Sequence, residues 1–446
     1  MKNKLEIFDM VMKSGIVGAG GAGFPTHVKI SAKAEIVVAN GAECEPILET
    51  DRHLMLREAR KVIEGLKLAM QSVEAEKGII AIKKKHSDIT LILKEMLKDE
   101  EHIKLHLLDN FYPAGDEHVL VYEATGRVVP MGGIPLDVNV VVSNVFTLSL
   151  MADACNGTSF THRYITITGE VRNPCVTKLP IGISIRETIE KASGGIKIED
   201  YKVIIGGPMM GKLEENLDNP ITKTTGAIIV LPSDHKIVDL KSKNIKSAMK
   251  IAKSVCCQCS QCTDMCPRFL LGHNLNPHKM MMALSDIEDK SDLKGLYPAT
   301  LCSECGLCGY YTCTMGLLPN AVNRYYKEVI NKNRERPNFK NIMTEEVHEF
   351  REYRKVPTER LLDKLGLTKY NFHLPFVELD IKPEKVVLPL KQHIGAPSIP
   401  VLTQGQRVAA GDLIAEIPEK SLSARLHSPI DGVIKEISDS FVIESI

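Results

Sequence analysis

Two cysteine runs carry most of the chemistry available to this chain. The first reads Cys256-Cys257-Gln258-Cys259-Ser260-Gln261-Cys262-Thr263-Asp264-Met265-Cys266-Pro267. The second reads Cys302-Ser303-Glu304-Cys305-Gly306-Leu307-Cys308, followed by Cys313. Taking Cys256, Cys259, Cys262 and Cys266 gives C-x2-C-x2-C-x3-C-P, a spacing that holds [4Fe-4S] cubanes. Three thiolates separated by two residues each let one short loop wrap three iron corners. The fourth ligand must come from elsewhere, because the loop cannot reach around the cube. Two such runs imply two cubanes and the movement of single electrons. In chains with two runs the fourth cysteine of one ligates the other cluster. The expected sets are therefore Cys256, Cys259, Cys262 and Cys313, and Cys302, Cys305, Cys308 and Cys266. The second run has four residues before its last cysteine, and Thr314 stands where proline is usual. An extra residue there can bulge without moving the sulfur. Cys257 fits no register.

Other uses of cysteine fit poorly. Structural zinc sites close with four ligands drawn from cysteine pairs, which suits two triplets with distant fourth cysteines badly. Disulfide frameworks belong to short secreted chains, and the charged opening Met1-Lys2-Asn3-Lys4-Leu5-Glu6 does not read as a signal peptide. Eight of the 12 cysteines are in register in the two runs; of the other four, Cys257 sits inside the first run out of register, and Cys44, Cys155 and Cys175 are scattered, as reduced cytosolic thiols would be. At 446 residues with 44% hydrophobic content, the chain has material for several domains. Lys plus Arg (56) balances Asp plus Glu (56), which argues against a nucleic-acid binder. The longest apolar stretch, 138–150, is interrupted by Asn139, Ser143 and Asn144, so no transmembrane segment is expected.

The elements that position these groups read as alternating strand and helix over the first 155 residues. Strands are expected at 35–39, 78–82, 103–107 and 138–142, with a helix over 51–70, which implies a largely parallel sheet with helices on both faces. Ahead of it lies Gly18-Ala19-Gly20-Gly21-Ala22-Gly23-Phe24-Pro25-Thr26. This matches G-x-G-x-x-G, but a helix (5–13) precedes it and Pro25 follows, so it is not the strand-to-helix dinucleotide fingerprint. It reads instead as a loop whose bare N–H groups can approach a phosphate or a ring, or as a plain Gly/Ala linker. Three strand ends carry polar groups suited to one crevice: Asn40 to Pro46, Asn110 to Glu117, and Ser143 to Thr147. Glu43 and Glu45 would point the same way if the chain there is extended.

These segments resemble the flavin-binding subunit of respiratory complex I. The likeness lies in Gly-x-Gly-Gly-Ala-Gly-Phe-Pro-Thr with Lys29, Asn40-Gly41-x-Glu43-x-Glu45-Pro46, Tyr112-x-x-Gly115-x-Glu117 and Asn144-Val145-x-Thr147. It implies that FMN and NADH are held by Gly18, Gly20, Gly21, Gly23, Lys29, Asn40, Glu43, Glu45, Tyr112, Gly115, Asp116, Glu117, Asn144 and Thr147. Ala19 stands where complex I has arginine, and Asp116 where it has glutamate, so flavin binding is better supported than NADH use. The chain also resembles the Rnf-C family, through Thr125-Gly126-Arg127-x-Val129-Pro130-x-Gly132-Gly133-x-Pro135. Its order of parts is similar to the cobalamin reductases of propanediol-utilisation microcompartments, as are Leu271-Gly272-His273-x-x-x-Pro277-His278-Lys279 and Val356-Pro357-Thr358-Glu359-Arg360-Leu361.

The expected fold is a multidomain α/β chain. A Rossmann-like domain of the complex I flavin-subunit type covers 1–160. A β-grasp (SLBB-like) domain covers 161–235, and an α-helical two-cluster ferredoxin-like domain covers 240–330. Linker helices occupy 331–382, and a β barrel-sandwich hybrid covers 383–446. The resemblance implies an NADH-dependent reductase that carries electrons through FMN and two [4Fe-4S] clusters to cobalamin or a corrinoid protein. It would be cytoplasmic, within a bacterial microcompartment, with a shell protein or an adenosyltransferase as further partners. The other reading is an Rnf-C-like relay without its own NADH oxidation. No acid, base or nucleophile arrangement is evident, and hydride transfer requires none.

Overall fold

The computed structural model describes residues 2–283, 293–335, 337–339 and 344–446. The amino-terminal sheet runs in the order Ile103–Leu108, Lys77–Lys83, Ile36–Gly41, Val140–Asn144, and every pair in it is parallel. Its central strands are buried on both faces, which is why they read as near-continuous Val/Ile/Ala runs. Helices Lys4–Lys13, Thr50–Val73 and Val145–Cys155 cover one face, with Ile7, Leu54, Val62, Leu66, Val145 and Leu148 fully buried over Val37 and Ala39. Helix Glu117–Thr125 covers the other face, where Val119 and Leu120 pack on Val38, Ala81 and Val142. Thr50–Val73 and Val145–Cys155 touch closely at Gly65, where an added Cβ would lie 1.8 Å from the Leu148 carbonyl oxygen. The fourth strand begins at Val140 rather than 138, because Asn139 turns the chain with φ 57° at the end of the turn Pro135–Val138.

The β-grasp unit is a five-stranded sheet, in the order Cys175–Pro180, His162–Gly169, Ala227–Pro232, Tyr201–Ile205, Lys212–Glu214. Helix Ile185–Ser193 crosses it, and the Ser184 hydroxyl starts that helix by accepting from Glu187 N. The cysteine-rich region is helical, with Ile245–Val255 and Pro319–Lys332 packing through Ala252, Tyr326 and Ile330. The carboxyl-terminal unit has a four-stranded and a three-stranded sheet. Its core residues Val386, Ile414 and Phe441 are continuous with the amino-terminal core. Between these units, Val356–Pro357 pairs antiparallel with Phe111–Tyr112, so the chain returns to the amino-terminal domain after the cysteine region. Among the described residues no helix is long and apolar enough to cross a membrane.

Candidate flavin crevice and iron–sulfur sites

The glycine-rich loop closes on itself, with Gly18 N donating to Phe24 O at 2.9 Å and Val17 bridging Pro25. Its base is anchored and its tip is open. Ala19 N donates to Thr147 Oγ1 (3.0 Å), and the fully buried Arg163 reaches Ala19 O with Nη2 (3.3 Å). The carboxyl-terminal unit holds the far side, where Ile394 N donates to Gly23 O. A Cβ on Gly20 would sit 2.9 Å from the Asn144 carboxamide, whereas one on Gly21 would meet open space. The loop thus presents exposed backbone at Gly20, Gly21 and Ala22, directly above the start of helix Val145–Cys155. Unpaired N–H groups there favour a negatively charged group.

Several other expected contacts gather around this crevice. Lys29 Nζ donates to Val142 O (2.7 Å) and pairs with Glu117 (3.1 Å). Asn40 Nδ2 donates to Gly115 O, and a Cβ at Gly115 would press on Cys44 at 3.1 Å. Asn144 caps Phe146 N with its Oδ1 and donates from Nδ2 to Asp51. An open cradle rimmed by glycine backbone, one lysine and carboxamides fits the phosphate and the polar ring edge of FMN.

Four residues turn elsewhere. The chain at Glu43 is not extended: its φ of 35° breaks the two-residue period, so Glu43 and Glu45 diverge. Glu43 accepts from Asp51 N and Arg52 N at the start of helix Thr50–Val73. Glu45 accepts from Met209 N and Met210 N, both at 2.8 Å, and so braces the β-grasp loop rather than the crevice. Tyr112 is buried and its hydroxyl donates to Cys305 O at 2.7 Å, toward the second cysteine run. Asp116 caps helix Glu117–Thr125 and forms a buried ion pair with Arg268 at 2.9 Å. Burial alone would raise the Asp116 carboxyl, but Arg268 and the helix amides hold it below the usual carboxylate range. His118 and His273 lie beside this pair; burial and then Arg268 depress them to about 3 and about 4, so both are neutral.

Burial, and then repulsion from Asp51, push the Glu43 carboxyl up to about 8. Asp51 is pushed up to about 6, also by burial. The pair holds a proton near neutrality that the unfolded chain would release near the ordinary carboxylate value. Folding stability from Glu43 is therefore fully present below about pH 4.5 and falls as pH rises toward 8. Glu43→Gln is expected to flatten the melting temperature of the flavin-loaded protein between pH 5 and 8; an unchanged slope would refute this assignment.

The eight run cysteines fall into two sets. Cys256, Cys259, Cys262 and Cys313 line one cavity, with Cys257 at its border, and the other three of the set lie close to Cys262. Cys266, Cys302, Cys305 and Cys308 are mutual neighbours, and Cys308 also lies near Cys262 of the first set. The second set is the deeper: Cys266, Cys305 and Cys308 are buried, whereas Cys259 is exposed. The two loops share one backbone trace. Gln258 and Ser260 in the first, and Glu304 and Gly306 in the second, all have left-handed backbones (φ 55°, 60°, 60° and 81°). Such a conformation is strained for residues other than glycine, and its recurrence at matched positions indicates loops that wrap the same kind of group. The extra residue before Cys313 is absorbed by a π-helical turn, Leu307–Thr312, and Cys313 N closes it by donating to Cys308 O.

Among the described residues, no three His, Cys, Asp or Glu side chains converge closely enough to hold one metal ion. The thiols of the first set border a small cavity. Beside Cys266, Arg268 Nε is buried without a protein partner. The deeper set backs on the amino-terminal domain through the Tyr112–Cys305 hydrogen bond and the Asp116–Arg268 pair, and a narrow cavity between Phe111, Tyr112, Pro267 and Leu307 marks that junction.

Sequence reading missed Arg163, Arg268 and Asp51 as supports of these sites, because each acts through partners distant in sequence.

Comparison with known proteins gives the parts their families. Residues 11–153 match the Nuo51 FMN-binding domain and 164–213 the SLBB domain. Residues 255–318 match a 4Fe-4S dicluster domain, and 373–445 the RnfC barrel sandwich hybrid domain. The chain is 40% identical over 438 residues to cobalamin reductase PduS of Salmonella typhimurium, covering 98% of this chain and 96% of that protein. It is 39% identical over 437 residues to cobalamin reductase PduS of Citrobacter freundii, covering 98% of this chain and 95% of that protein. A crystal structure of NAD+-reducing [NiFe]-hydrogenase in the H2-reduced state shares the fold, with TM-score 0.50 and 19% identity over 75% of this chain and 64% of that chain. With an FMN-binding domain joined to a 4Fe-4S dicluster domain, and with identity extending nearly end to end, the chain is a flavin/iron–sulfur electron-transfer oxidoreductase and belongs to the cobalamin reductase PduS family.

Proposed function

We propose that the chain oxidises NADH at FMN lodged in the amino-terminal crevice and delivers electrons through two [4Fe-4S] clusters to a corrinoid. The observation that carries this reading is the division of eight cysteines into two adjacent sets of four, one against the amino-terminal domain and one near the surface. FMN would supply the conversion of a two-electron hydride into the single electrons that cubanes accept. In this reading Gly18, Gly20, Gly21 and Gly23 keep the loop thin enough for its N–H groups to meet the phosphate, and Lys29 balances its charge. Asn40, Gly115, Glu117, Asn144 and Thr147 shape the crevice, and Glu43 sits neutral beneath it. Tyr112, Asp116 and Glu45 hold neighbouring units against the crevice, the first two through the deeper cysteine loop and its flank. The net reaction balances: one NADH yields NAD+ and a proton, and two Co(II) centres each gain one electron. The corrinoid acceptor rests on the likeness to PduS.

The test is anaerobic preparation and titration. About eight irons and one flavin per chain are expected, with the flavin band bleached by NADH and cob(II)alamin reduced in turn. About four irons would overturn the two-cluster reading. A flavin band that NADH leaves intact would remove NADH oxidation and favour a relay fed by another flavoprotein.

A further inference from the structure

A second cavity, of about 800 Å³, opens beside the surface cysteine set. This is within the range of small-molecule clefts, about 300–1,000 Å³. Its floor comes from the two cysteine loops: Gln261, which adjoins Cys262, and Tyr311 and Thr312, which lead into Cys313. Its wall is helix Thr358–Leu365, with Arg360 and Lys364 one turn apart on it and Asp363 beside Lys364, and Arg354 and Asp264 complete the lining. Arg354 is engaged by Asp264, donating to its carbonyl at 3.3 Å. Arg360 and Lys364 have no side-chain partner among the described residues.

With Asp264 engaged by Arg354 and Asp363 accepting from Thr368 Oγ1, the exposed cations Arg360 and Lys364 are left uncommitted at this cavity and favour an anion, a phosphate in particular. The place of that anion is set by its neighbours. Both floor segments end on ligands of the cysteine set nearer the surface, the one from which an electron would leave. We infer that this cavity is the acceptor site, and that it recognises a phosphodiester-bearing corrinoid by gripping its nucleotide-loop phosphate with Arg360 and Lys364 while the corrin ring lies over the Cys262–Cys313 side. This rests on the reading of the protein as a corrinoid reductase, and it adds where the corrinoid binds and which part of it is recognised.

Equilibrium binding to the anaerobic holoprotein tests it with two probes, cob(II)alamin and a cobinamide that lacks the phosphate. The wild type is expected to bind cob(II)alamin roughly tenfold tighter than the cobinamide, as one charge-assisted contact worth about 1.4 kcal/mol requires. R360E/K364E is expected to lose that preference while keeping its iron and flavin content, and R360K/K364R to restore it. Unchanged cob(II)alamin binding in the charge-reversed protein would overturn the assignment. NADH-driven reduction of cob(II)alamin with no phosphate preference would leave the corrinoid reductase reading standing and remove this site. Phosphate-dependent binding without reduction would do the reverse.

Discussion

Cys308→Ser is expected to leave NADH able to bleach the flavin and to abolish reduction of both clusters and of cob(II)alamin. Cys262→Ser is expected to abolish only the steps beyond the deeper cluster. The difference follows from position. Cys308 belongs to the set that abuts the amino-terminal domain, through Tyr112 and Arg268. Cys262 belongs to the set whose cavity carries the exposed Cys259. Serine cannot replace either residue, because the thiolate is the ligand and a hydroxyl stays protonated at neutral pH. Each substitution should lower iron from about eight to about four per chain. Low-temperature electron paramagnetic resonance after NADH addition should show one reduced cluster in Cys262→Ser and none in Cys308→Ser. Cys257→Ser should keep both, since Cys257, though it borders the cavity of the first set, fits no register of the triplet. Corrinoid reduction at the normal rate in Cys308→Ser, or loss of iron in Cys257→Ser, would overturn the order of transfer or the ligand sets.

The parts of the site that were legible in sequence are those fixed by local spacing. Cysteine triplets, the glycine loop and the alternating strands each state their geometry within a dozen residues, and the observed elements lie close to the expected ones. What was illegible depended on one backbone angle or on a distant partner. Glu43 and Glu45 look like a matched pair at period two. The left-handed turn at Glu43 separates them, and no composition signal marks it, because glutamate is a poor guide to that conformation. Asp116 is visible only as a departure from a family pattern. Its meaning comes from Arg268, 152 residues away in sequence, which neutralises it across the domain boundary. Tyr112 sits in a motif otherwise devoted to the crevice, yet its hydroxyl serves the cysteine loop. Arg163 reads as an ordinary charge at the start of a strand, but it is 2% exposed and supports the glycine loop from beneath. Interdomain polar contacts therefore hold the sites in register, and periodicity is blind to such contacts.

The Asp116–Arg268 pair makes that point testable with a large effect. Arg268→Met is expected to destabilise the docking of the cysteine region on the amino-terminal domain by about 3–5 kcal/mol, the cost of leaving one member of a buried pair uncompensated. Screening by water does not reduce this much, since the side chains are only 11% and 9% exposed. Asp116 would keep its helix amides, His118 N and Val119 N, but lose its paired cation. The sign with pH follows from the direction of its shift. A carboxyl held below its unfolded value contributes stability above the ordinary carboxylate range and loses it as pH falls through the folded value. The penalty of Arg268→Met should therefore be full at pH 7 and shrink under acid conditions. Asp116→Asn added to Arg268→Met should recover part of the loss, because a neutral carboxamide is cheaper to bury than an unpaired charge. A purely structural role would end there. Arg268 also places a positive charge two residues from Cys266, so its removal should make the deeper cluster harder to reduce, and net charge near a cluster is one determinant of its potential. A potentiometric titration of that cluster in Arg268→Met, compared with Arg268→Lys, separates the two roles. A more negative midpoint in the methionine variant that lysine largely restores would mark Arg268 as a residue that both docks the domains and tunes the first electron transfer between them. An unchanged midpoint would leave it with docking alone.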